Sequence, residues 1–180
     1  VIFMILPNGG IVQQVLFEAG LAEFLQPGSL VVDMSSVTPE ESRQCAQRLA
    51  QKQVDFLDAP VSGGEPGAKA GTLALMVGGE ESAFERAKPY FEAIGSSAMR
   101  IGPAGSGSVT KLANQIIVNL NIAAVSEALV LAAKAGADPA LVYEAIRGGL
   151  AGSQVLDAKA PMMLHRDFQP GGKISINHKD

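Results

Sequence analysis

The sequence predicts an α/β fold, in which a largely parallel sheet is followed by an all-α domain that opens with a long helix. Three observations predict it. Short apolar runs alternate with helical stretches up to residue 102, as in βαβ units. Glycines and prolines separate these runs. After Gly102 the strand-like runs stop and a long apolar helical pattern begins. We therefore predict two domains, residues 1–103 and 104–180.

The first two predicted strands are apolar runs with the pattern of strands buried on both faces, VIFMIL (1–6) and SLVVDMSS (29–36). DFLDAP (55–60) is the third predicted strand. A helix over about 11–24 joins the first strand to the second. The helix between the second and third strands has a strong start signal, with Thr38 at the N-cap, Pro39 after it and Glu41 as capping-box partner. It is predicted to end near Gln51.

The rest of the sheet is predicted from two further runs, TLALMVGG (72–79) and AMRIG (98–102), with a helix over 81–94 between them. The glycine-rich segment before residue 72 is predicted to be a loop. In the all-α part, helices are expected over 106–135 and 138–149, and the pattern stays helical or irregular as far as Pro161.

Composition narrows the class of protein. Of 180 residues, 47% are hydrophobic and 18% are charged, so a sizeable core is expected and extensive disorder is not. The net charge of −4 comes without a basic stripe, which argues against a nucleic-acid partner. The single cysteine, Cys45, excludes an intrachain disulfide framework and suits the reducing cytoplasm. We interpret it as a small apolar helix residue rather than a nucleophile.

We expect neither a signal peptide nor a membrane span. The apolar N-terminal run is six residues long and has no basic region. The segment 116–137 is long and apolar, but Asn119, Glu127 and Lys134 interrupt it, so a buried helix of a soluble domain is predicted. The chain opens inside a strand and stops where a helix begins, and we therefore expect residues to be missing at both ends.

The polar ends of three strands are candidates for a ligand site. Open α/β sheets bind ligands beyond the carboxyl ends of their strands. These ends are Leu6-Pro7-Asn8, Ser35-Ser36 and residues 59–64. No G-x-G-x-x-G fingerprint is present, and GSGSVT (105–110) lacks its third glycine and opens the all-α part. If this is a dinucleotide-binding sheet, we expect its first half to be absent.

The stretch APVSGG (59–64) suggests an anion site at one of these ends. Gly63 and Gly64 allow unusual backbone dihedral angles and a close approach of a ligand. Successive backbone N–H groups in such a turn attract an anion, and Ser62 adds a hydroxyl donor. A small carboxylate is the predicted guest, and an ordinary tight loop is the alternative.

Lys111 stands near the start of the predicted long helix, among mostly apolar positions. Asn114 and Gln115 follow at i+3 and i+4, so they share its face of the helix. A desolvated lysine has a lowered pKa and suits general acid work near neutral pH. A solvent-exposed lysine at a helix start is the alternative. His165 and His178 have no metal-ligand spacing, and no metal is predicted.

Four segments together resemble the β-hydroxyacid dehydrogenases. They are LDAPVSGGEPGAKAGTLALMVGG (57–79), GSGSVTKLANQIIVNLNIAAVSEAL (105–129), IRGGLAGSQVLDAKAPMM (146–163) and the terminal KD. The resemblance implies the second half of a Rossmann-type sheet, a long interdomain helix and an incomplete all-α domain. It also implies NAD or NADP as cofactor, and reversible hydride transfer to a small carboxylate substrate with a 3-oxo or 3-hydroxy group.

The resemblance also assigns roles to individual residues. Lys111 matches the catalytic lysine, and Ser62, Gly63 and Gly64 match a substrate-carboxylate loop, with Asn114 or Gln115 orienting the lysine or the substrate. The matches to cofactor-contacting positions are Leu6, Pro7, Ser36 and Lys179. Gln115 stands where the wider family often has asparagine, and Gly172 and His178 replace larger apolar residues. The long apolar helix further suggests a homo-oligomer.

Overall fold

The computed structural model describes residues 1–169, which form two compact units, residues 1–112 and residues from 113 onward. The division falls inside the long helix α6 (Ser106–Lys134), which begins in the first unit and continues into the second. We retain domains 1–103 and 104–180 as our proposal, since the strands end at Gly102 and α6 starts shortly after it.

The first unit is built on a six-stranded sheet. Its strands are β1 (Ile2–Met4), β2 (Leu30–Asp33), β3 (Asp55–Asp58), β4 (Val61–Ser62), β5 (Leu73–Gly79) and β6 (Gly95–Gly102). β1, β2 and β3 are parallel neighbours, and all four residues of β2 are buried. The continuous apolar runs predicted strands buried on both faces, and this is confirmed for β2.

The direction of β5 differs from the expected largely parallel sheet. β3 and β4 both pair antiparallel with β5, in one continuing register from Leu57 opposite Gly79 to Ser62 opposite Ala74. β5 and β6 are again parallel to each other. The connection from β4 to β5 contains only α4 (Gly64–Ala70), where a loop was predicted. A parallel crossover needs a dozen or more residues, so this short connection returns the chain antiparallel.

Helices cover both faces of the sheet. They are α1 (Gly9–Gln13), α2 (Leu21–Phe24), α3 (Pro39–Ala50) and α5 (Glu81–Ile94). The capping box of α3 is confirmed, because Thr38 accepts from the Glu41 N–H while the Glu41 carboxylate accepts from the Thr38 N–H. The helix predicted over 11–24 is instead three segments, with a π-helical stretch, Gln14–Glu18, before a break at Gly20.

Consecutive residues of β2 pack into two different hydrophobic cores, one on each face of the sheet. Val31 packs with α1 and α3 residues such as Leu16 and Leu49, whereas Leu30 and Val32 pack on the other face with the Phe91 side of α5. Cys45 lies in the α3 core at 1% exposure, as the sequence predicted.

The second unit packs α7 (Pro139–Ile146) and α8 (Gln154–Leu164) on one face of α6. Val125, Leu129 and Tyr143 form its core. The expectation that α6 is a buried helix is wrong for this chain, because a stripe of its apolar side chains is exposed. The stripe comprises Ile116, Ile117, Leu120, Val130 and Leu131. Among the described residues, α6 is also the one helix whose length and composition would permit a membrane crossing.

Candidate active site

Lys111 lies at the start of α6, against the strand that precedes the glycine pair. Its ammonium Nζ donates a 2.8 Å hydrogen bond to the carbonyl oxygen of Val61, fifty residues earlier in the chain. The side chain is half-buried, and desolvation lowers the pKa of the amine below its ordinary value. The alternative of a solvent-exposed lysine therefore does not hold.

The segment Ser62-Gly63-Gly64 follows directly on the carbonyl that Lys111 contacts. Ser62 ends β4, and Gly64 begins α4. Gly63 and Gly64 have φ angles of +133° and +60°, which explains why the chain has two glycines here. A methyl group on Gly63 would also lie 3.2 Å from the Leu73 side chain. The structure thus brings together two segments that the sequence analysis could connect only by resemblance.

Asn114 and Gln115 occupy the next turn of α6. Both are half-buried, and the Asn114 amide Nδ2 donates a 3.1 Å hydrogen bond to Gln115 Oε1. This bond orients one amide against the other. Their part in orienting Lys111 or a substrate stays a prediction.

The residues that follow β1 and β2 are joined by hydrogen bonds. The Leu6 N–H donates to Ser35 Oγ at 2.8 Å, and the Ser35 N–H donates to Asp33 Oδ1 at 3.0 Å. Ser36 comes next and is half-buried, while Pro7 follows Leu6 at the surface. Lys179 lies outside the described residues. The hydrogen bonds of Ser35 join the carboxyl ends of β1 and β2, at the edge where open α/β sheets bind their ligands.

Asp58, which the sequence analysis did not single out, connects this edge to α6. It is 1% exposed, and its two carboxylate oxygens accept from the backbone N–H groups of Gly105 and Ser108, each at 2.8 Å. The Ser108 hydroxyl meets that of Ser42 in α3 at 2.9 Å. One signal in the sequence could have identified Asp58: it is an ionisable residue inside the apolar run FLDAP, and a buried carboxylate needs hydrogen-bond partners.

The other buried carboxyl, Asp33, lies beside Asp58 in the sheet. Its Oδ2 has no hydrogen-bond partner among the described residues, and burial raises the pKa of this carboxyl. Within residues 1–169, no group of three or more histidine, cysteine or acidic side chains is arranged to hold a metal ion.

Two family models match the chain. Residues 1–102 match the NAD binding domain of 6-phosphogluconate dehydrogenase. Residues 105–180 match the NAD-binding domain of NADP-dependent 3-hydroxyisobutyrate dehydrogenase.

Comparisons with curated proteins and with solved structures also match the chain to dehydrogenases and reductases. The chain is 49% identical to 2-hydroxy-3-oxopropionate reductase of Escherichia coli (strain K12), over 100% of the chain and 62% of that protein. It is 38% identical to 2-(hydroxymethyl)glutarate dehydrogenase of Eubacterium barkeri, over 100% of the chain and 60% of the relative. The crystal structure of 3-hydroxyisobutyrate dehydrogenase from Salmonella typhimurium aligns with a TM-score of 0.88 at 32% identity, covering 98% of this chain and 62% of that one.

The chain thus spans about three fifths of the length of the relatives it matches. The matched region includes the Lys111 site and the strand ends at the carboxyl edge of the sheet. On these matches, the chain belongs to the β-hydroxyacid dehydrogenase family, whose members use NAD or NADP.

Proposed function

We propose that the chain is part of an NAD(P)-dependent oxidoreductase that reduces tartronate semialdehyde (2-hydroxy-3-oxopropanoate) reversibly to D-glycerate. The motifs KLANQ and IRGGLAGS…LDAKAPM support this choice within the family, as does the 49% identity to a protein named 2-hydroxy-3-oxopropionate reductase. The bacterial relatives further support a cytoplasmic location.

The observation that carries the proposal is the hydrogen bond from Lys111 Nζ to the carbonyl oxygen of Val61. It holds a partly desolvated ammonium beside the residue that precedes Ser62, Gly63 and Gly64. A substrate whose carboxylate lies on that glycine turn would have its other end within reach of the lysine. Fixing the reacting group in this way lowers the entropic part of the barrier.

A nicotinamide cofactor, when bound, would supply the hydride that reduces the carbonyl carbon. Ser62 and the backbone N–H groups of Gly63 and Gly64 hold the substrate carboxylate. Negative charge develops on the carbonyl oxygen, and the Lys111 ammonium donates a proton to that oxygen and becomes a neutral amine. Solvent reprotonates the amine, and in the reverse direction the amine accepts the proton from the alcohol.

The residues that would hold the cofactor lie beyond β1 and β2. Leu6, Pro7 and Ser36 match cofactor-contacting positions of the family, and the Leu6–Ser35 hydrogen bond joins the two strand ends. Lys179 would contact the nicotinamide end. The proposed cofactor is NAD or NADP.

The alternatives are the activities of 3-hydroxyisobutyrate dehydrogenase and of a glyoxylate or succinic semialdehyde reductase. The likeness to 3-hydroxyisobutyrate dehydrogenase structures supports the first of these. The alternative outside the enzymes is that the 180-residue chain by itself is a catalytically inactive assembly module.

A substrate panel tests the proposed specificity. We expect kcat/KM to be highest for tartronate semialdehyde when it is compared with methylmalonate semialdehyde, glyoxylate and succinic semialdehyde, each with NADH and with NADPH. A preference for any of the other three would contradict the proposed substrate while leaving the reaction class intact. Turnover of none of the four by the full-length protein would exclude all the substrates considered for it.

We also propose that the protein is a homo-oligomer. The exposed stripe on α6 (Ile116, Ile117, Leu120, Val130 and Leu131) lies opposite the face that packs Val125 and Leu129 inside the second unit. An exposed face with this many apolar side chains is a common mark of a protein interface.

A further inference from the structure

The glycines of GSGSVT, which are not a dinucleotide fingerprint, allow α6 to start directly on the sheet. A side chain on Gly107 would collide with the backbone carbonyl oxygens of Met76 in β5 and Asp58 in β3. Gly78 in β5 has the same constraint, since a Cβ there would meet the Asp58 carboxylate and lie 2.8 Å from the Gly107 nitrogen. The first turn of α6 therefore lies in backbone contact with two strands.

Asp58 caps the N-terminus of α6, as the capping box caps the N-terminus of α3. In a capping box, the N-cap residue and the N3 residue each satisfy the other's backbone N–H with a side chain. Gly105 precedes the first helical residue of α6 and has no side chain, and the Ser108 hydroxyl is engaged with Ser42. One carboxylate from β3 accepts from both N–H groups instead.

Lys111 is held by the stretch of chain that follows Asp58. Asp58 accepts hydrogen bonds from residues 105 and 108 of the α6 start, and the carbonyl of Val61, three residues further along the chain in β4, accepts one from Lys111. These three points of α6 are spaced by about one helical turn, so they lie on one face of the helix. A rotation or slide of α6 would break all three contacts together.

We propose that Asp58 is the positioning residue for Lys111: by capping α6 from β3, it sets where the Lys111 amine lies relative to the Ser62-Gly63-Gly64 turn. The anchoring itself is independent of the reaction, and its catalytic consequence rests on the proposed function. Asp58 does not touch the substrate in this scheme and acts only through α6.

The charge of Asp58 suits this role. Both oxygens accept hydrogen bonds from N–H groups, as an ionised carboxylate does, and the positive end of the α6 dipole favours that form. Burial raises the pKa of Asp58, and the bonds from Gly105 and Ser108 oppose this rise. An asparagine of the same shape would place an N–H₂ group against one of the two N–H donors and leave that donor unpaired.

The test compares Asp58→Asn with Leu49→Ala. Leu49 is a fully buried residue of the α3 core outside the site, and its variant controls for lost stability alone. The first readout is the pH dependence of acylation of the Lys111 amine, measured by mass spectrometry on folded protein. In Asp58→Asn we expect the pKa of Lys111 to move up toward its ordinary value, because a loosened α6 hydrates the amine. In Leu49→Ala the pKa of Lys111 should equal that of the wild type.

The second readout is steady-state kinetics of the enzyme. We expect kcat of Asp58→Asn to fall at least tenfold with the KM for the cofactor unchanged, and kcat of Leu49→Ala to stay within twofold of the wild type. If Asp58→Asn lowers only the melting temperature, with Lys111 labelling and kcat like those of the control, the proposal is overturned. If labelling shifts but Lys111→Ala keeps full kcat, the anchoring holds and the proposed function fails.

A further test uses the wild-type protein and therefore does not depend on whether Asp58→Asn folds. The amide protons of Gly105 and Ser108 and the Lys111 ε-methylene should all shift in NMR spectra with one shared pKa, above the ordinary aspartate value. Independent titration of these signals would contradict the proposal.

Discussion

At the scale of single residues, burial shifts the pKa of Lys111 and the pKa of Cys45 in opposite directions. Lys111 keeps a hydrogen-bonded ammonium in a half-buried position, and desolvation lowers the pKa of the amine toward the range where it can exchange a proton. Cys45 is nearly fully buried, and burial raises the pKa of its thiol to about 12. A thiol of that pKa stays protonated at neutral pH, so the interpretation of Cys45 as a packing residue rather than a nucleophile agrees with its surroundings.

Lys111→Ala should reduce kcat by about 10²–10⁴-fold, the range typical of a general acid. In the proposed mechanism, reduction requires the ammonium form of Lys111, so wild-type kcat should fall as the pH rises through the lowered pKa of Lys111. The variant should lack this limb of the pH profile and bind the cofactor with unchanged affinity. Steady-state kinetics across pH and a fluorescence titration with NADH measure the two effects.

Lys69→Ala is the matched control for this change. Lys69 lies in α4 near the same glycine turn, but its side chain is 76% exposed and paired with Glu65. An exposed pair of this kind contributes little, so the variant should behave as the wild type. Equal activity of Lys111→Ala and Lys69→Ala would remove Lys111 from the mechanism.

At the scale of helices and strands, local signals determine where elements start and end. Thr38, Pro39 and Glu41 were sufficient to predict the start of α3, because a capping box involves only neighbouring residues. The start of α6 was predicted close to Ser106 from glycines and periodicity, but its caps come from β3. No pattern along the chain near residue 106 indicates that partner.

Thr38→Ala should lower the free energy of unfolding by about 1 kcal/mol, because it leaves the Glu41 N–H without its side-chain acceptor. Urea denaturation monitored by circular dichroism measures the change. Gln44→Ala, which removes an exposed side-chain hydrogen bond to Glu40 further along α3, is the control and should be close to neutral. A Thr38→Ala cost no larger than that of the control would show that the box does not stabilise α3.

At the scale of the whole molecule, the exposed stripe on α6 is the surface that bears on assembly. Its side chains recur at helical spacing on one face, and Leu120 and Leu131 are 65% and 70% exposed. Burial of such a face against a second copy of the chain would remove it from water at a gain of about 25 cal/mol per Å².

Leu120→Lys combined with Leu131→Lys should convert the proposed homo-oligomer to a monomer at micromolar concentration, because a buried unpaired ammonium is costly. Sedimentation velocity measures the mass. Leu141→Lys changes an equally exposed leucine on α7, outside the stripe, and should leave the assembly intact. A monomeric wild-type protein, or loss of assembly in Leu141→Lys alone, would exclude the stripe as the interface.

The sequence by itself determined the α/β class, the main strands, the α3 capping box and the family, because each depends on local periodicity or on motifs within one stretch of chain. The tertiary structure decided three matters: that β5 runs antiparallel to β3, that the stripe on α6 stays exposed, and that Asp58 and Val61 hold α6. The last of these depends on contacts between segments that are distant in sequence, since fifty residues separate Val61 from Lys111. Patterns along the chain show which residues prefer burial, and only the packed fold decides which partners they meet.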